Sequence, residues 1–343
     1  LNRPRSIKLA KPIVLLLGGD SLVGKDFQAR FADAGVKGRL VLAAAGEGVS
    51  AIIAVAGEDD DEEPELIPAL DAEQIASAKV IVFSGQAEEA RAAYALVQEH
   101  RGQTAIVDLT GELAGEPEAR VRAPFFETKP PEGDAVHSIP QPAAYMLAHF
   151  LTLVQQAQPI RRAVATIFEP ASMSGRRAID ELQRQAVGLF TFKPLPKDVF
   201  GEQVAFNLVA KPGEDSTIGW AGREKRIERD LASLLALDGA VPMPSLRLVQ
   251  APVFHGYAMS LWVEFTGAVK VAGLLEHLQG EGVDLRTEDL DPPNNVNMAG
   301  QSGYAVGAVE VDHNDSRACW FWLAADNHQL VAEVAVDVVA ELL

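Results

Sequence analysis

Apolar positions along the chain fall into short unbroken runs separated by stretches of helical spacing. Residues 13–17 form one such run, and it stops at Gly18 and Gly19. Residues 23–34 follow with Phe27, Phe31 and Ala34 on one side of an expected helix. Further apolar runs lie at 39–45, 79–83 and 104–109, with a helical stretch at 87–99 between the last two. Unbroken apolar runs mark strands buried on both faces, and strands alternating with helices predict a parallel sheet with crossover helices. The Pro130-Pro131 break in Lys129-Pro-Pro-Glu-Gly133 ends this pattern. A long helix is expected over 143–156. Strands follow at 162–168, 204–209, 245–250, 259–265 and 319–324, and helices at 174–185, 223–237, 269–279 and 331–343. The helix over 223–237 carries Ile227, Leu231, Leu234 and Leu235 as its apolar face. Strands and helices in mixed order predict an α+β region, and no internal repeat is visible.

The length of 343 residues agrees with two domains at roughly 150 residues each. Hydrophobic residues at 48% and charged residues at 23% are a globular balance, which excludes wholesale disorder. The net charge of −18 repels phosphate backbones and argues against nucleic-acid binding. The acidic run at 58–63 reads as a solvated loop between sheet elements. One cysteine, Cys319, excludes an internal disulfide, a cysteine metal cluster and a CxxC pair. It sits in a strand-like apolar run and reads as a small buried hydrophobe. The seven histidines show no HxxxH or HExxH spacing, so no metal site is expected. The run at 13–17 is too short for a signal peptide core, and 143–154 is too short to span a bilayer. A soluble, cytoplasmic protein without membrane contact is expected.

Gly18-Gly-Asp-Ser-Leu-Val-Gly24 follows a strand and opens a helix. A dinucleotide-binding turn needs that context, because glycine lets backbone N–H groups approach a pyrophosphate at a helix N-terminus. Ser21 stands where the middle glycine of GxxGxxG would be, and its Cβ narrows the space. The same turn also occurs with no ligand.

Longer segments carry a more specific resemblance. Val164-Ala-Thr-Ile-Phe-Glu-Pro-Ala-Ser-Met-Ser-Gly175, followed by Ala178-Ile-Asp-Glu-Leu182, resembles V-S-T-Y-Q-A-V-S-G-A-G and A-x-x-E-L of aspartate-semialdehyde dehydrogenases. Gln203-Val-Ala-Phe-Asn-Leu-Val209 resembles their Q-I-A-F-N-V-I, and Ala251-Pro-Val-Phe-His-Gly-Tyr-Ala258 their V-P-V-F-x-G-H-S. Gly18 to Gly24, Phe83-Ser84-Gly85 and Ala325-Asp-Asn327 resemble their G-A-T-G-A-V-G, F-S-A-G and S-D-N. The similarity runs in order from about residue 12 to the end. It implies an α/β fold with a Rossmann-like dinucleotide-binding domain over 1–140. An α+β dimerisation domain would cover 141–322, and a final helix over 323–343 would return to the first domain. It also implies a homodimer, amino-acid biosynthesis as the family's setting, and NAD or NADP as the cofactor. The cofactor would lie against Gly18, Ser21, Leu22, Val23, Gly24, Ser84, Gly85 and Asn327.

The same resemblance exposes losses. The family's thiolate nucleophile sits in P-N-C-S-T at a helix start, where the helix terminus lowers the thiol pKa. The matching stretch is Pro140-Gln-Pro-Ala-Ala144, so Pro142 takes the nucleophile's position. The histidine base of G-H-S becomes Tyr257, a poor base at neutral pH. The glutamine that orients the intermediate becomes Glu169, and the oxyanion-gripping arginine becomes Ala114. A family lysine survives as Lys225, and the tail motif becomes His328-Gln-Leu-Val-Ala332. Gly46 and Glu47 replace the Arg and Ser that would hold a 2′-phosphate, which disfavours NADP by charge. His255 stands two residues before Tyr257 and would share its face on an extended segment. A structural or surface histidine is the plainer reading. Two functional expectations follow. One is a non-catalytic, dimeric relative with a regulatory, ligand-binding or interaction role toward an unidentified small molecule or protein. The other is an NAD(P)-dependent oxidoreductase of altered chemistry, using Glu169, Tyr257 or His255 as proton donor.

Overall fold

The first apolar run becomes β1 (Ile13–Leu17), in which Val14 to Leu17 are at most 1% exposed. Ser21 then caps α1 (Leu22–Asp33), which buries Phe27 and Phe31. The chain continues through β2 (Arg39–Ala43), β3 (Ala51–Ala56), β4 (Glu62–Ile67), α2 (Ala72–Ser77) and β5 (Ala78–Phe83). It goes on through α3 (Ala87–His100), β6 (Ala105–Asp108), β7 (Ala119–Val121) and β8 (Val136–Ser138). This computed structural model describes residues 11–45, 51–56, 62–127, 136–280, 282–287 and 290–343. Six strands form a wholly parallel sheet in the order β2-β1-β5-β6-β8-β7. Leu15, Leu17, Ile81, Phe83, Tyr94 and Val97 belong to its core. The order reverses at β1, with β2 on one side and β5 on the other. In such sheets the crevice beyond the carboxyl ends at the reversal is where ligands bind. Here it is bordered by the Gly18 loop and by Ser84-Gly85.

The second sheet is mixed. Its elements are α4 (Pro142–Ala157), β9 (Ile160–Glu169), α5 (Arg176–Thr191), α6 (Trp220–Asp238), β10 (Ser245–Gln250) and β11 (Tyr257–Phe265). They continue with α7 (Val271–Leu278), β12 (Val283–Leu285), β13 (Tyr304–Val311), β14 (Ala318–Ala325) and α8 (Asn327–Leu342). The strand order is β10-β9-β11-β14-β13-β12, parallel only in the two edge pairs. Because side chains alternate across a strand, register sorts them into two faces. One face holds Ala165, Ile167, Leu261, Val263, Cys319, Phe321 and Leu323, all at most 2% exposed. The other carries Val164, Phe168, Trp262, Trp320 and Trp322, with Val164 45% and Trp320 43% exposed.

The chain divides into two units. One is Leu1–Arg122, Lys129–Ile139 and Ala335–Leu343; the other is Ala123–Thr128 and Pro140–Val334. Residues 123–127 join the second unit because the Phe125 and Phe126 rings meet those of His149 and Tyr145 of α4. The first half of α8 joins it as well, through Asn327.

Several expectations need correction. Residues 204–208 are a turn rather than a strand: Phe206 adopts φ +58° and Asn207 N–H returns to Val204 O at 2.9 Å. Val209 alone bridges to Gln250. The β3–β4 pair, β12 and β13 were not expected from the pattern. Of the acidic run, Glu62 and Glu63 open β4; residues 58–61 lie outside the described residues.

Candidate functional site

Three buried polar side chains meet at one end of the second sheet. Glu169 closes β9, Gln250 closes β10, and Tyr257 opens β11. Gln250 is in register with Glu169, and Ala258 with Phe168, which sets Tyr257 beside Glu169. All three are at most 1% exposed. From α6, Arg223 Nη1 donates to Glu169 Oε1 and to Ser174 Oγ at 3.0 Å. The Tyr257 hydroxyl donates to Glu169 Oε2 at 3.0 Å and accepts from Gln141 Nε2 at 2.5 Å. Gln141 Oε1 caps α4 by accepting from Ala143 and Ala144 N–H at 2.7 and 3.2 Å. Its own N–H donates to Asp230 Oδ2 at 3.0 Å. Each carboxylate oxygen of Glu169 thus has a donor, and one donor is cationic. A buried carboxylate without such partners would be strongly unfavourable.

The electrostatics follow from this packing. Burial, reinforced by the Glu169 charge, pushes the Tyr257 hydroxyl well above the usual phenol range. Burial opposes the Arg223 charge, but the adjacent Glu169 carboxylate outweighs it and holds the guanidinium protonated. Tyr257 therefore stays neutral and Arg223 stays charged at physiological pH.

Pro142 is buried at the first turn of α4, directly after the Gln141 cap. Its ring suits that place because the missing N–H would be unpaired there. His255 does not join the cluster. Gly256 at φ +83° breaks the extended alternation, and His255 is exposed with its ring 6.0 Å from that of His328. Burial lowers the His328 pKa to about 4. Cys319 lies inside the core face, fully buried, with burial pushing its thiol up to about 12. Lys225 is exposed on α6, and Ala114 lies in a short turn after Asp108.

In the first unit, Ser21 Oγ accepts from Gly24 N–H at 3.0 Å and donates to Ser84 O at 2.6 Å. The hydroxyl of Ser84 donates toward Leu17 O and Gly18 O at 2.8 and 3.0 Å. Gly18 has φ +74°, and a Cβ there would lie 2.3 Å from Gly85 Cα. A Cβ on Gly24 would lie 2.3 Å from Gly18 O. The contact of one loop with the other accounts for both glycines. Among the described residues the Leu22 and Val23 amides have no backbone partner, as expected at a helix start. Gly46 and Glu47 lie outside the described residues. In the second unit, Asn327 Oδ1 accepts from Gly256 N–H at 2.9 Å and from Ser172 Oγ at 3.3 Å. Asn327 therefore ties the start of α8 to the turn before β11. Gln141, Arg223 and Gln250 escaped the sequence reading. Arg223 looked like one more charge on a solvated helix face, and nothing local marks Gln250. Among the described residues no group of three or more His, Cys, Asp or Glu is placed to hold a metal ion. No described helix is long and apolar enough to cross a membrane.

A parallel sheet with a glycine loop at its reversal point, followed by a mixed sheet of this topology, defines a two-part dehydrogenase-type fold. The family described as "Semialdehyde dehydrogenase, dimerisation domain" matches residues 151–329, more than half of the chain, and the protein belongs to that family. It is 29% identical over 245 residues to a USG-1 protein homolog of Azotobacter vinelandii, covering 69% of this chain and 71% of that one. It is 27% identical over 210 residues to an aspartate-semialdehyde dehydrogenase of Rickettsia bellii, covering 60% and 61%. The structure of a probable aspartate-semialdehyde dehydrogenase from Pseudomonas aeruginosa superposes with a TM-score of 0.79 at 22% identity, covering 96% and 97% of the two chains. That likeness establishes the shared α/β architecture.

Proposed function

We propose that this chain is a non-catalytic, dimeric homologue of aspartate-semialdehyde dehydrogenase that binds a ligand or a partner. One observation carries the reading. The resemblance implies a thiolate and a histidine base at Pro142 and Tyr257; Pro142 instead opens α4 directly after the Gln141 cap, and Tyr257 is hydrogen-bonded to Glu169 and Gln141. Proline has no nucleophilic atom. The Tyr257 hydroxyl is held between Glu169 and Gln141 and kept protonated by burial. The one thiol, Cys319, is inert for the same reason. The test is phosphate-dependent reduction of NADP by the purified chain with aspartate semialdehyde. We expect no signal above the uncatalysed rate, and saturable turnover would overturn the reading.

The glycine loop keeps part of an anion-binding end. A dinucleotide would be held by the Leu22 and Val23 amides beside Gly18, Ser84 and Gly85, and would supply hydride transfer. The cluster in the second unit offers no thiol or free base to join that chemistry. The dimer reading rests on the tryptophan-rich sheet face. Val164, Phe168, Trp262, Trp320 and Trp322 share the sheet face away from the core, with Thr166 and Ser260 between them. Such a patch marks an interaction surface.

A further inference from the structure

We infer that the buried cluster of the second unit is a binding site for a small neutral ligand that carries a carbonyl oxygen next to an N–H or O–H, a primary carboxamide being the simplest case. The inference rests on the non-catalytic reading of that cluster. Two independent observations lead to it.

The first is an orphaned acceptor. Gln250 is fully buried, and its Nε2 donates to Glu169 O at 2.9 Å and to Ala251 O at 3.2 Å. Two carbonyl acceptors fix the amide orientation, since the reversed amide would set oxygen against oxygen. Gln250 Oε1 is then buried with no hydrogen-bond partner. An unpaired buried acceptor costs about 1–3 kcal/mol, and a donor arriving from a ligand would remove that penalty.

The second is a pinned but incompletely used arginine. Both hydrogen bonds of Arg223 leave from Nη1, to Glu169 and Ser174. Its side chain remains 20% exposed, and among the described residues Nε and Nη2 make no hydrogen bond. A guanidinium locked on one side presents its other donors in a fixed geometry.

The two features are neighbours. Glu169 and Gln250 are registered partners on strands about 5 Å apart. Arg223 sits on the carboxylate of the first, and the orphaned oxygen belongs to the second. On this proposal a ligand of a few heavy atoms would take a hydrogen bond from Arg223 and give one to Gln250. Charge selects its class. The Arg223 cation is already matched by Glu169, so the pair is neutral as a unit. A carboxylate entering there would be set against Glu169, whereas a neutral amide would not.

The test uses the full chain and three probes: propionamide, N,N-dimethylpropionamide, which lacks the donor, and propionate, which adds a charge. Binding is read by saturation-transfer NMR and thermal-shift titration up to roughly 100 mM, the weak range expected of so few atoms. Propionamide should bind saturably, and the other two about tenfold more weakly or worse. Gln250→Met should erase the preference for propionamide over its dimethyl analogue. Arg223→Lys, which keeps a positive charge beside Glu169, should weaken propionamide binding while the chain stays folded by circular dichroism. Absence of saturable binding, equal affinity for the two amides, or a preference that survives Gln250→Met would each overturn the inference. In those cases an ordered water alone satisfies Gln250. Turnover of aspartate semialdehyde would refute the non-catalytic reading and leave these binding results standing.

Discussion

Arg223→Met removes the cation that contacts the buried Glu169 side chain. Glu169 is fully buried, so among the described residues the substitution leaves its carboxylate with Tyr257 as its one side-chain donor. Breaking a buried ion pair by removing one partner costs about 3–5 kcal/mol. Arg223 is 20% exposed, and water reaching the gap softens the loss, which sets the expectation near about 3 kcal/mol. For domains of 150–250 residues that corresponds to a fall in Tm of about 6–12 °C. Urea unfolding followed by tryptophan fluorescence should show this loss for Arg223→Met at neutral pH. Adding Glu169→Gln should recover about 2 kcal/mol, a coupling typical of residues in direct contact. A loss below about 1 kcal/mol, or one that Glu169→Gln does not recover, would mean that Arg223 and Glu169 are not held as a buried ion pair.

Other outcomes follow from the same physics. Gly18→Ala should cost about 2 kcal/mol or more, because it forces a side chain into positive φ and 2.3 Å from Gly85 Cα; thermal denaturation reads this. Trp320→Glu, on the exposed sheet face, should halve the mass measured by light scattering from twice 36.7 kDa, and a wild type that is already monomeric would refute the proposed dimer. His149 is buried against Tyr304, with its Nδ1 2.7 Å from the hydroxyl, and burial lowers its pKa to about 4. The stability tied to its neutral form is present above the unfolded pKa of about 6.5 and is lost as pH falls toward 4. His149→Gln should flatten that dependence, which spans up to about 3 kcal/mol; an unchanged slope in urea titrations between pH 4 and 7 would remove His149 as its source.

Strands and helices whose side chains pack on regular neighbours were legible from periodicity. β1, β5, β9, β11 and α4 all form where their apolar runs predict. Residues 204–208 were misread because their apolar composition mimics a strand, while Gln185 Oε1 takes the Val204 and Ala205 amides into a turn. The positions Pro142, Glu169 and Tyr257 could be picked out one at a time. That Glu169 and Tyr257 touch, whereas His255 stands apart, depends on the positive φ of Gly256 and on strand register.

Some of the chemistry is readable from the sequence alone. Composition places one thiol at Cys319, and no arrangement of the chain can put a nucleophile at Pro142. It also determined the alternation of elements, since a side chain's hydrophobicity acts locally through the 2- and 3.6-residue periods. Which polar side chains meet was decided in three dimensions. Arg223 and Glu169 are 54 positions apart, and Gln141 and Tyr257 are 116 apart. Their meeting depends on register and on where α6 lies over the sheet. Burial then decides their chemistry: charge persists only where an opposite charge is in contact, and the unpaired oxygen of Gln250 is left wanting a donor.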